Sequence, residues 1–236
     1  MTHARLLALL FPRRCPFCGA LLGADAVQGT VCPACLPEEM RLQHLPPRLP
    51  EGEHAFYALG QAAAAYYYAD AVRGAILRCK RGGRPWYAQE LADRMAVLIF
   101  GALPARRVGE LPQYRGLHTL PLYSCIVPVP PLLLARRLSA VLGIPVVTPL
   151  YIKNPGRPQK ELTREERLRR AKAAFACRPG TDLTGKRVLL VDDIITTGAT
   201  ASACAAALLQ AGAIEVTAAA IAATEELPKA QQKKER

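Results

Sequence analysis

No run of eighteen or more apolar residues occurs in this 236-residue sequence, which excludes a membrane-spanning helix. The apolar opening from Leu6 to Phe11 is short and runs into Pro12-Arg13-Arg14 without a small-residue cleavage site. It reads as a packing segment rather than an export signal, so a reducing cytoplasm is the expected compartment and structural disulfides are not expected. No segment repeats internally. Acidic residues are the minority: 19 Asp and Glu stand against 31 Lys and Arg, a formal net charge of +12. Such an excess suits a polyanionic partner, either nucleic acid or a phosphorylated substrate.

The excess is concentrated. Lys153 to Arg178 holds nine Lys and Arg against three Glu, and Arg73 to Arg84 holds five basic residues and no acid. Any one of these residues reads most simply as part of a solvated face; the two clusters together raise the prospect of a binding surface. About half of the residues are hydrophobic (51%), enough for a sizeable core, and the length fits one α/β domain with a small appendage.

In a reducing compartment the eight cysteines need a role other than cross-linking. Cys15 and Cys18 are separated by two residues, as are Cys32 and Cys35, with thirteen residues between the pairs. Each pair has the spacing of a knuckle that turns two thiolates onto one ion, and two pairs complete a tetrahedral structural zinc site with no open position. Gly19 supplies the tight turn after the first pair. Cys79, Cys125, Cys177 and Cys204 lack such spacing and are expected as small buried residues.

Residues 188–200 read Val-Leu-Leu-Val-Asp-Asp-Ile-Ile-Thr-Thr-Gly-Ala-Thr. A short buried strand, two carboxylates at its carboxyl end and a hydroxyl- and Gly-rich turn into an Ala-rich helix together make a site for a phosphorylated sugar. The turn offers backbone N–H groups and Thr hydroxyls to a phosphate at the positive end of a helix dipole. Asp192 and Asp193 can accept hydrogen bonds from ribose hydroxyls and influence a nearby Mg²⁺. The plainer reading is a buried strand followed by a helix capped by Thr200 or Thr197. A second phosphate motif fails: Gly180 to Arg187 ends in Arg where a P-loop needs Ser or Thr, and it precedes a strand instead of following one. Asp182 to Lys186 reads as a turn feeding the strand at 188–191.

Along the chain, residues 1–40 form the four-cysteine module, 41–54 a polar Pro-rich link, 55–225 an α/β domain and 226–236 a polar tail. Strand-like aromatic content marks 56–61 and 64–68, and helical pattern marks 70–79, 86–103 and 132–142, the last closed by Gly143. A strand at 126–130 is cut off by prolines, another is expected at 144–148, and 153–170 is charged with helix over 161–172. The signature strand is followed by a helix at 200–211, with Gly212 just past its end, and a strand at 214–222. This alternation predicts a parallel sheet with helices on both faces and the site at the carboxyl end of its strand.

The segment 188–200 resembles the 5-phosphoribosyl-1-pyrophosphate (PRPP) fingerprint of type I phosphoribosyltransferases. The resemblance implies that Asp192 and Asp193 hold the ribose 2′- and 3′-hydroxyls, and that Thr196, Thr197, Gly198, Ala199 and Thr200 cradle the 5′-phosphate of a Mg²⁺-bound PRPP. The order of a four-cysteine module, Lys80-Arg-Gly-Gly-Arg84, Val127-Pro-Val-Pro130, the stretch Gln159, Leu162, Arg167, Ala174-Phe175 and the fingerprint resembles the ComF family of competence-associated, phosphoribosyltransferase-like proteins. That resemblance implies a zinc ribbon on a phosphoribosyltransferase-like sheet, and a cytoplasmic role with incoming single-stranded DNA in natural transformation. One departure stands out: the family's basic Arg-Gly-Phe-Asn-Gln loop after Val-Pro-Val-Pro is missing, and in phosphoribosyltransferases the loop there contacts pyrophosphate. Arg136 and Arg137 are candidates to replace it. Three readings follow: an active transferase in which Lys80 or Arg81 closes over the pyrophosphate, with Asp192, Asp193 and Lys80 as the catalytic set; an inactive scaffold in which the basic clusters track single-stranded nucleic acid and Tyr66, Tyr67, Tyr68 and Trp86 either stack on bases or pack the core; and an adaptor whose zinc module docks a helicase or another protein of the uptake machinery.

Overall fold

Short apolar runs alternating with Ala- and Leu-rich helical stretches build a parallel sheet in the computed structural model, which describes residues 12–23, 30–50, 54, 56–81, 86–102, 122–124, 130–153 and 174–225. The elements are α1 (Leu36–Leu42), β1 (Gln61–Tyr67), α2 (Asp70–Arg81), α3 (Trp86–Phe100), β2 (Leu122–Ser124), α4 (Pro130–Leu142), β3 (Val146–Val147), β4 (Leu150–Ile152), β5 (Phe175–Cys177), β6 (Arg187–Ile195), α5 (Ala199–Gln210) and β7 (Glu215–Ala223). Five strands pair in the order β1-β7-β6-β2-β3, every pairing parallel, while β4 and β5 form a separate antiparallel pair. The expected architecture, a parallel sheet flanked by helices, is the one observed. Among the described residues no helix is long and apolar enough to cross a membrane.

The sheet is covered on both faces, which is why β6 reads as an unbroken apolar run. Leu189 and Val191 enter one core with α2, α3, α4 and the cysteine module, and Val188 and Leu190 enter the other with α5. Of the aromatics considered for base stacking, Tyr66 and Tyr67 are buried in the core, the plainer of their two readings. Helix α3 stops at Phe100 because Gly101, at φ +62°, turns the chain so that the Gly101 and Ala102 N–H groups reach back to the Val97 and Ala96 carbonyls. Gly143 closes α4 in the same left-handed region, as expected.

Residues 42–49 do more than connect. The N–H groups of His44 and Leu49 donate to the Ala65 and Ala62 carbonyls, and Ala64 N–H donates to Pro47 O. This antiparallel strip covers the outer edge of β1 and buries Leu42 and Leu49 completely. An otherwise open sheet edge is thereby closed. The cysteine module joins the same structure: Arg13 pairs with Glu90 through two guanidinium nitrogens (2.7 and 2.6 Å), and Phe17 packs edge-on to Tyr66 at 5.7 Å. Buried Glu39 accepts from Tyr66 Oη (2.7 Å), Gln43 (2.9 Å) and Arg94. The turn at 182–186 forms as expected: Thr184 N–H donates to Asp182 Oδ1 at 2.9 Å, and Gly185 takes φ +71°. The strand expected at 126–130 falls, apart from Pro130, outside the described residues, as do Gln159, Leu162 and Arg167 and the tail 226–236.

Candidate functional site

β6 runs four residues beyond its expected end and carries both aspartates inside the sheet rather than past it. Adjacent strand residues face opposite sides of a sheet, so the two carboxylates flank the strand end instead of stacking on one face. Asp193 is buried on the side of α2, where Lys80 Nζ stands 2.7 Å from its Oδ2. The Asp192 carboxylate folds onto the chain, its Oδ1 accepting from Asp193 N–H at 2.8 Å. Burial first, and then the neighbouring Asp193 charge, pushes Asp192 up to about 7. Cys79, next to Lys80, is raised to about 11 by burial and then by the charge of Asp193. It is buried, as is Cys204, while Cys177 is half-buried; the fourth of these thiols, Cys125, lies outside the described residues.

Beyond Ile195 the chain leaves the sheet through exposed Thr196 and Thr197 and enters α5 at Gly198, whose φ of +75° is left-handed. The helix N-cap is therefore Gly198 rather than Thr197 or Thr200, although Thr197 Oγ1 accepts from the Ala199 N–H at 3.4 Å, so the plainer reading keeps a role for Thr197 one position earlier. Only glycine fits here for a second reason: a Cβ would lie within 2.5 Å of Phe56 Cδ1 and nearer still to Cε1. Gly198 itself offers no capping side chain, and the first turn of a helix leaves backbone N–H groups pointing out of its start, the arrangement that receives an anion. Asp192, Asp193, Thr196, Thr197, Gly198, Ala199 and Thr200 are continuous in space as in sequence, and Lys80 joins them from α2.

Arg137, a candidate to replace the missing pyrophosphate loop, pairs through two nitrogens with buried Asp93 on α3 at 2.7 and 3.0 Å. Its charge is committed within the α3–α4 contact. Arg136 is exposed on α4. From the first basic cluster, Arg78 donates to the carbonyls of Pro16 (3.1 Å) and Phe17, bracing the cysteine knuckle from α2.

The sulfurs of Cys15, Cys18, Cys32 and Cys35 all lie within 4.8 Å of one another. Cys18 and Cys32 Sγ are 3.6 Å apart, close to the ~3.8 Å edge that Zn–S bonds of about 2.3 Å give a tetrahedron. The N–H groups of Ala20 and Cys32 point at Cys18 and Cys15 Sγ at 3.5 Å, as knuckle turns around thiolates do. Burial pushes the Cys15 and Cys35 thiols up, so ionising the full set calls for a cation among them. These four residues fit a structural zinc.

The family model of the phosphoribosyl transferase domain matches residues 131–236, the part of the chain that contains β6, the Thr-Thr-Gly turn and α5. No curated protein matches the chain. Among solved structures, the allosteric regulatory enzyme of purine biosynthesis is 22% identical over 58% of this chain and 25% of its own, with a TM-score of 0.37. The glutamine PRPP amidotransferase from B. subtilis, complexed with ADP and GMP, is 23% identical over 56% and 25%, also with a TM-score of 0.37. The chain thus spans about a quarter of the length of these two proteins.

Proposed function

We propose that this chain binds PRPP, or the ribose 5-phosphate group within it, at residues 192–200. One coincidence carries the reading: the stretch matched to the phosphoribosyl transferase domain contains two aspartates near the carboxyl end of a parallel strand, followed within five residues by a left-handed glycine at the start of a helix. Asp192 and Asp193 accept hydrogen bonds from the ribose hydroxyls, while the N–H groups and hydroxyls of Thr196 to Thr200 hold the 5′-phosphate. The carboxylate oxygens suit a hard cation, so Mg²⁺ accompanying PRPP would supply charge neutralisation at the pyrophosphate. Lys80 pairs with Asp193 when no sugar is bound; entry of the ribose diol displaces it toward the leaving pyrophosphate, where its charge stabilises departure.

The test is calorimetric titration of the zinc-loaded chain with Mg²⁺–PRPP, beside Asp192→Ala/Asp193→Ala. Micromolar binding, about −8 kcal/mol, lost in the double variant is expected; no heat with the unaltered chain overturns the reading.

A second reading keeps the site for binding without turnover. Arg137 bound to Asp93 and Lys80 bound to Asp193 favour it, because two of the four candidate pyrophosphate cations have carboxylate partners. In either form we assign the chain to the ComF-like proteins on the order of its motifs, with a cytoplasmic role in handling single-stranded DNA during natural transformation and a helicase or other uptake protein as partner. Single-stranded DNA binding that weakens steeply with salt, without release of pyrophosphate, selects the scaffold; turnover with a nitrogenous acceptor selects the transferase. Partner docking is best tested at the exposed Leu36 and Met40 of α1, because truncating the module would also remove Phe17 and Val31 from the core.

A further inference from the structure

Just past β7, one carboxylate faces two histidines that the site described above does not use. Glu225 Oε2 lies 2.8 Å from His44 Nε2, and its Oε1 lies 3.4 Å from His54 Nε2. The histidine side chains are 5% and 2% exposed. His44 Nδ1 contacts Pro46 O at 2.7 Å and His54 Nδ1 contacts Pro50 O at 3.0 Å. A carbonyl oxygen only accepts, so in both rings Nδ1 carries a proton and donates it. In the neutral rings, Nε2 would then turn a lone pair toward a buried carboxylate. Each of the two contacts becomes favourable only when a proton occupies it. The short His44 contact has the length of such a bond. The longer His54 contact does not, and Glu225 Oε1 is buried without a hydrogen-bond partner. The cluster thus has one contact, between His54 Nε2 and Glu225 Oε1, that a shared proton would complete.

That contact is linked to the phosphate loop. The His54 ring stacks on Phe56 with centroids 4.7 Å apart and planes at 7°. Phe56 lies against Gly198, where a Cβ would collide with its ring. Tyr57 N–H donates to Ser202 Oγ in the first turn of α5 at 3.3 Å, and Thr224 N–H donates to the carbonyl of Ile195, the last residue of β6. The other ionisable groups around the cluster are Tyr67, whose ring stacks on His44 at 4.6 Å, and, on the loop side, Asp192 and Asp193 with Lys80.

We propose that His54, acting through Phe56, is a positioning residue for the loop 196–200, and that a proton taken up by the His44–Glu225–His54 cluster is coupled to phosphoryl binding there. The proposal rests on the phosphate-loop reading above. Protonated, His54 closes on Glu225 and seats Phe56 against Gly198, fixing the loop; deprotonated, its lone pair repels the carboxylate and the strap loosens. Coupling is reciprocal, so a bound phosphoryl group raises the proton affinity of the cluster.

The experiment measures Mg²⁺–PRPP affinity from pH 6 to 8.5 for the unaltered chain, Glu225→Gln and Phe56→Leu, together with histidine ring-proton NMR titrations with and without PRPP. Affinity of the unaltered chain should fall with rising pH more steeply than that of either variant, by up to about tenfold per pH unit for one coupled proton. The titration of PRPP itself is common to all three chains and cancels in the comparison. PRPP should also move the His54 titration upward. Phe56→Leu leaves the cluster in place and severs only its link to the loop, so it carries the test even if Glu225→Gln folds poorly. Equal pH slopes and an unmoved His54 titration overturn the coupling and leave the phosphate site standing. No PRPP binding at any pH overturns the site and the coupling together.

Discussion

Gly198→Ala tests the geometry at the head of α5 most directly, because two independent penalties meet there. The left-handed backbone, φ +75°, costs a non-glycine residue about 1–2 kcal/mol. The new methyl would stand 2.5 Å from Phe56 Cδ1, where carbon atoms prefer about 3.5–4.0 Å, so the ring must shift by about 1 Å or more. Overpacking of that kind costs about 1–3 kcal/mol, and the two penalties together give about 2–5 kcal/mol. For a chain of this length each kcal/mol lowers the melting temperature by about 2–4 °C, so the variant should melt roughly 5–15 °C below the parent. Urea unfolding of the parent, Gly198→Ala, Phe56→Ala and the double variant separates the parts. Removing the ring relieves the collision but not the backbone strain, so the double variant should be less destabilised than the two single changes added together, by about 1–3 kcal/mol. A loss of 1 kcal/mol or less in Gly198→Ala, with strict additivity in the double variant, would refute a Phe56 ring seated on the loop.

Asp192→Asn should be more stable than the parent near pH 7.5. Asp192 is raised from 3.8 to about 7 in the folded chain, so between those values the folded state holds a proton that the unfolded state has lost, and stability falls as pH rises through that window. The substitution should flatten the fall, worth about 2–4 kcal/mol between pH 4 and 7.5 in urea unfolding, while abolishing PRPP binding. Arg94→Met strands the buried Glu39 carboxylate with its Tyr66 and Gln43 partners alone, and should cost about 3–5 kcal/mol; Arg94→Met/Glu39→Leu should recover most of it. Chelation should withdraw one zinc per chain, read by metal analysis, and lower the melting temperature of the whole cooperative transition rather than produce a separate early step.

The strand, turn and helix that carry the proposed phosphate site were readable because all of their parts are local: an apolar strand, two acids and a glycine whose left-handed backbone the structure shows. The cysteine spacing was equally local. The covering of β1 by residues 42–49 had no such signal, since a Pro-rich stretch reads as a link until its partner strand is known, and only the Ala62, Ala64 and Ala65 hydrogen bonds reveal it. Long-range charge pairs were likewise hidden. Lys80 reads as an available cation next to Gly82 and Gly83, and Arg137 as another in α4, until the fold brings Asp193 and Asp93 against them. Nor does anything near His44 or His54 in the sequence announce Glu225. Sequence reasoning missed that cluster because two isolated histidines and a carboxylate near the end of the chain share no spacing pattern.

The composition of the core explains why a metal module belongs to this sheet. On one face β7 presents Ala218, Ala220 and Ala223 and β1 presents Ala62 and Ala64, and α5 meets them with Ala201 and Ala205, while Ala219, Ala222 and Ala65 face the other core. Methyl side chains allow the layers to approach closely but remove little apolar surface from water, and hydrophobic stabilisation follows that area. The large buried side chains, Tyr66, Tyr87, Ile76, Leu91 and Met95, gather instead on the face where Phe17, Cys15 and Cys32 form one wall of the core. Arg13–Glu90 and Arg94–Glu39 fasten that wall to α3, and Asp93–Arg137 fastens α3 to α4. Zinc binding energy in such an arrangement is folding energy for the helical face of the sheet. Losing the ion would release Phe17 from Tyr66, expose the aromatic end of β1 and loosen α2, and with α2 the Lys80 contact to Asp193. The four-cysteine cluster and the proposed sugar-phosphate site, at different ends of the sequence, are therefore expected to be thermodynamically linked: PRPP should bind more weakly to the metal-free chain than to the zinc-loaded one even where its secondary structure persists.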